Sequence, residues 1–127
     1  MSDNPRAKIE ALLDNLTRTY LMLRKVCGIL PIPILLPGSI QEAEEVGMDI
    51  LPAVARAVEI IEDQPLAPDI AREVESGALF WISALKVLRH LAQHGDDPTA
   101  ETEITLLLIA AGGALIDAAS MILGETD

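Results

Sequence analysis

The chain has 127 residues, half of them hydrophobic, and a formal net charge of −11. That length supports one ordinary domain with its own core, and that apolar content excludes a disordered chain. Phosphate backbones and anionic lipids repel so acidic a surface, which argues against nucleic-acid binding by general electrostatics and against a membrane. Tyr20, Phe80 and Trp81 are the only aromatic residues. A palette of Ala and Leu favours helix over strand. Cys27 is the single cysteine, so no internal disulfide framework exists. A reducing compartment, the cytoplasm, is the expected location. The opening MSDNPRAKIE lacks the basic start and apolar run of a secretory signal.

The charge is unevenly spread. Residues 1–30 carry five basic and three acidic side chains, whereas residues 40–75 carry ten acids against Arg56 and Arg72. A first helix is predicted from Pro5 to Gly28, capped by Asn4, with Pro5 in the first turn. Its stripe is Ile9, Leu12, Leu16, Tyr20, Leu23, Cys27 and Leu30, at spacings of three and four. The next stretch, Leu30 to Gly38, is apolar but holds three prolines, which forbid a helix and favour extended backbone. It is expected to lie against the helices or a partner.

Ser39 and Glu42 form a capping box that opens a second helix. Its stripe is Ile40, Ala43, Val46, Ile50, Val54, Val58 and Ile61. Gly47 and Pro52 interrupt it, and Pro52, which lacks a backbone donor, is expected to kink or split this helix. A third helix, with Asp69 as cap, carries Ile70, Val74, Ala78, Trp81, Leu85, Leu88 and Leu91 and ends at Gly95. Asp96, Asp97 and Pro98 open a fourth. From Ile104 to Leu123 the fourth helix is apolar almost all round, the pattern of a central helix or a membrane span. Asp117, Thr105 and Ser120 interrupt it, which favours the central position. The expected architecture is an all-α four-helix bundle, one domain over residues 1–127. Its second helix is kinked or split at Pro52, and a proline-rich apolar connection joins its first two helices.

Arg89-His90-Leu91-Ala92-Gln93-His94-Gly95 resembles the R-x4-6-H motif of the HEPN superfamily of small all-helical domains, often dimers and many of them metal-independent ribonucleases. That resemblance implies roles for Arg89 and His94 in assisting attack of a ribose hydroxyl on phosphate, work suited to His near neutral pH. The plainer reading sets both at a helix end, where basic groups favour the dipole. His90 and His94, at i and i+4, also offer two nitrogens to a metal. The pairs Glu42/Glu45 and Glu59/Glu62 are similar to the E-x-x-E of the all-helical nucleotide pyrophosphohydrolases, which implies magnesium; as plain carboxylates they form a solvated face.

Asp117 is the one acid in the most apolar segment, expected to be buried and paired with Arg18, Arg24 or Lys25. Cys27 reads as a core residue. No phosphate loop, nucleophile elbow or dinucleotide fingerprint is present in the sequence. The expected function is non-enzymatic: a protein-interaction or regulatory helical protein, self-associating as a homodimer, without a cofactor. Its expected contact residues are Leu30, Ile32, Ile34, Leu35 and Leu36 of the proline segment and Gly112 and Gly113 of the last helix. The HEPN-like ribonuclease and the pyrophosphohydrolase are the alternatives.

Overall fold

The structure, a computed structural model, describes residues 5–95 and 97–125. Among them it is helical with no strand, and the helices are α1 (Pro5–Gly28), α2 (Ile40–Glu45), α3 (Ile50–Glu62), α4 (Pro68–His94) and α5 (Pro98–Glu125). Asn4 and Asp96, expected as caps, lie outside the described residues.

The expected second helix is two helices, and the break is not at Pro52. Gly47 adopts a φ of 74°, a left-handed turn open to glycine at little cost, and the chain restarts at Asp49. Asp49 is the N-cap of α3, its carboxylate accepting from the Leu51 N–H at 3.1 Å. Pro52 falls in the first turn of α3, where a backbone N–H has no helical partner to lose. Val46, placed by periodicity on the buried stripe, is 75% exposed because the helix stops there. Ser39 caps α2 as expected, accepting from the Glu42 N–H at 3.0 Å. The cap of α4 is Ala67, not Asp69, which is the second residue of the helix, in its first turn; Pro68 fixes the start instead. Asp97 caps α5, accepting from the N–H groups of Thr99 and Ala100.

Helix α4 is the centre, packing on α1, α3 and α5. Its buried stripe includes Ile70, Val74, Ala78, Trp81, Leu85, Leu88 and Leu91, the seven positions its periodicity marks. Trp81 donates its indole N–H to the Leu16 carbonyl at 2.9 Å and packs against Tyr20 with ring centroids 5.2 Å apart, tying α4 to α1. Gly77 lets α5 come close: a Cβ there would stand 2.7 Å from the Leu115 side chain. Helix α5 runs antiparallel to α4 and alongside α1, with Lys8 Nζ 3.9 Å from a Glu101 carboxylate oxygen near their starts and Met22 beside Gly112 further on. It touches no other helix extensively. The central place expected for the most apolar helix therefore belongs to α4, and α5 lies at the edge. The reason is that α4, with a polar and an apolar side, can be enclosed by three neighbours, while the close α4–α5 contact uses only one arc of α5.

The proline segment is held by its backbone. The Gln64 side chain accepts from the Ile32 N–H at 2.9 Å and donates to the Ile32 carbonyl at 2.7 Å. The Ile34 N–H donates to the Cys27 carbonyl, and the Tyr20 hydroxyl donates to the Pro37 carbonyl. Leu30, Ile34 and Leu36 are thereby buried in the core.

Candidate interaction surface

The residues of the HEPN-like motif are not brought together. Five residues along an α-helix turn it by about 140°, so Arg89 and His94 leave α4 in different directions. Arg89 turns toward α3 and pairs with Asp49, Nη2 to Oδ1 at 2.9 Å. That guanidinium, followed by the Leu51 N–H, holds the Asp49 carboxyl below the usual carboxylate range. His94 is exposed and lies against His90, ring centroids 4.2 Å apart. Among the described residues no three of His, Cys, Asp and Glu are grouped to hold a metal ion. Glu42 and Glu45 belong to α2, Glu59 and Glu62 to α3, and all four are exposed.

Asp117, expected to be buried and paired, is exposed. Helix α5 presents it to solvent because its inward arc is filled by Ile104, Leu108, Ala111, Leu115, Ala118 and Ile122. Cys27 is buried, and burial pushes its thiol up to about 11. Tyr20 is likewise pushed up to about 12, chiefly by burial and against the opposing pull of Arg24.

The expected contact residues divide. Leu30, Ile34 and Leu36 are core, while Ile32 is 56% and Leu35 93% exposed. Leu35 stands at a groove of about 390 Å³ shared with Met48, Ala53 and Ile60. Gly112 lies against Met22 of α1; Gly113 faces solvent, and a Cβ on it would meet nothing within 4 Å.

Sequence reasoning placed Gly112 and Gly113 of α5 at a contact but did not name the large side chains of its outer face. Leu106 is 61%, Ile109 64% and Ile116 58% exposed. With Gly113 they recur at steps of three, four and three, a second apolar stripe at seam spacing beside the one that enters the core. The signal was present in the all-round apolarity of the segment, but periodicity cannot say which of two stripes the neighbouring helices cover. Ile116 also lines an open cleft of about 420 Å³ between α1 and α5, with Met22, Lys25, Val26, Ile29 and Ala119. By length and composition α5 is the one described helix able to cross a membrane, and a third of its most apolar window is buried here.

No protein-family model, no curated protein and no solved structure matches this chain.

Proposed function

We propose that this chain is a non-enzymatic helical interaction protein that self-associates, a four-helix bundle whose second helix is broken in two. The observation that carries the reading is the outer face of α5, three large aliphatic side chains in register along one helix, each more than half exposed. Contiguous apolar surface of this kind is costly in water and marks a place where something docks. The separation of Arg89 from His94 supports the reading, since Arg89 is engaged with Asp49 across to α3. The net charge of −11 favours a protein over an anionic bilayer as the cover. The buried lone cysteine suits a cytoplasmic setting.

Light scattering coupled to size exclusion tests the reading. The expected result is a mass that rises from monomer toward dimer with protein concentration and does so equally in high salt, because apolar burial is not screened. A monomer mass at every concentration, in low and high salt, overturns it.

A further inference from the structure

We infer that the α1–α5 cleft binds one single-chain aliphatic carboxylate, its tail laid between the two helices and its head on Lys25. The cleft is formed within one chain, so the inference does not depend on self-association.

The recess exists because α5 turns small residues toward α1. Gly112 and Ala119 are seven residues apart, on one side of α5, and neither fills the space between the helices. Buried Val26 and Leu115 form the floor, and Met22, Ile29, Ile116 and Leu123 form the walls. The volume, about 420 Å³, lies in the roughly 300–1,000 Å³ range of small-ligand sites. α1 and α5 run parallel, so the trough between them takes a linear chain lengthwise. Its lining runs from Met22 to Ile29 and from Leu115 to Leu123, about 10–12 Å at 1.5 Å per residue, the extended length of a tail of about eight to ten carbons. Met22, flexible and unbranched, can adjust to that tail.

Charge names the head group. Of the lining residues Lys25 alone is charged; it is exposed, and among the described residues it makes no ion pair. Helical side chains lean toward the N-terminus, so its ammonium reaches back toward exposed Arg18, seven residues earlier on the same side of α1. The neighbouring acids stand off. Asp14 is eleven residues, about 16 Å, before Lys25 along α1, and Asp117 leaves α5 about 100° round from Ile116 and 160° from Ala119, away from α1. The direction of the ligand follows. Both helices end beside Ile29 and Leu123, where unmatched carbonyls and the negative ends of the dipoles disfavour an anion. The tail therefore lies there and the carboxylate at the Arg18 end. A net charge of −11 repels an anionic bilayer, so the ligand is the free monomer.

Titration of the full chain with monomeric decanoate, read by isoleucine-methyl resonances, tests the site. Saturable binding of one decanoate per chain is expected, whatever the mass by light scattering, with shifts at Ile29 and Ile116 and none at Ile32 and Ile60. Octanoate should bind about tenfold more weakly, since each buried methylene strengthens binding roughly threefold to fourfold. Decylammonium, a tail of the same length with the opposite charge, should bind about fivefold more weakly than decanoate. Lys25→Glu, an exposed change that keeps the helical circular-dichroism spectrum, should reverse that order. Equal affinity for the two head groups, or decanoate binding unchanged by Lys25→Glu, overturns the role of Lys25 and with it the carboxylate. No saturable binding, shifts centred on Ile32 and Ile60, or binding to phosphatidylglycerol vesicles and not to monomeric decanoate overturns the site.

Discussion

Gln64 does with one side chain what a neighbouring strand does with its backbone: it satisfies both the N–H and the carbonyl of Ile32. Gln64→Leu keeps the volume and removes both bonds. The expected loss is about 1–3 kcal/mol in chemical denaturation, the cost of leaving partly buried backbone groups unmatched. Gly77→Ala sets two effects against each other. Alanine favours a helix interior by about 1 kcal/mol, but its Cβ would press into Leu115, and overpacking costs about 1–3 kcal/mol. A net destabilisation is expected because the clashing atoms include Leu115 Cγ, not only a free end. Asp117→Leu, by contrast, should leave the melting temperature nearly unchanged, within about 0.5 kcal/mol, since the carboxylate is solvated. None of these three roles was legible in the sequence. Gln64 looks like a loop residue, Gly77 like a weak spot in a helix, and Asp117 like a buried charge, because each role depends on what the fold sets opposite.

Element boundaries show where local chemistry suffices and where it competes. Ser39 before α2 and Gly95 after α4 mark their ends in the sequence and in the structure, since a side-chain oxygen or a left-handed glycine satisfies end groups whatever the surroundings. The break between α2 and α3 was misplaced by five residues because proline was weighed by identity and not by position. Asp49 starts a new helix just ahead of it, which turns Pro52 from a breaker into a first-turn residue. Gly47→Ala should therefore cost about 1 kcal/mol through its positive φ, while Pro52→Ala should be near neutral. Thermal melts of the two variants side by side check this, and a larger loss at Pro52 would return the break to the proline. The stripes of α1 and α4 were legible in the main, because each has one apolar side, although Thr19 and Val26 of α1 and Gly77 and Ala84 of α4 are buried beside them. The α5 stripes were not, because a helix with two apolar sides carries no mark of which one the fold uses.

At the scale of the molecule, Tyr20 and Cys27 report on the integrity of the α1–proline-segment contact. Their folded values, about 12 and about 11, lie above ordinary values of 10.0 and 9.0. Groups held neutral in this way lend stability that is complete below pH 9 and is lost as pH climbs toward 12. Unfolding is thus expected on the alkaline side. Tyr20 is the only tyrosine, so its ionisation band should appear together with loss of helix and not before it. The central claim, however, concerns the outer face of α5, and isoleucine-methyl resonances followed through a dilution series test it most directly. The account predicts that Ile109 and Ile116 shift with concentration, while Ile32 and Ile60, exposed on the proline segment and α3, stay in place. Concentration-independent spectra, or shifts at Ile32 and Ile60 in place of Ile109 and Ile116, would contradict it.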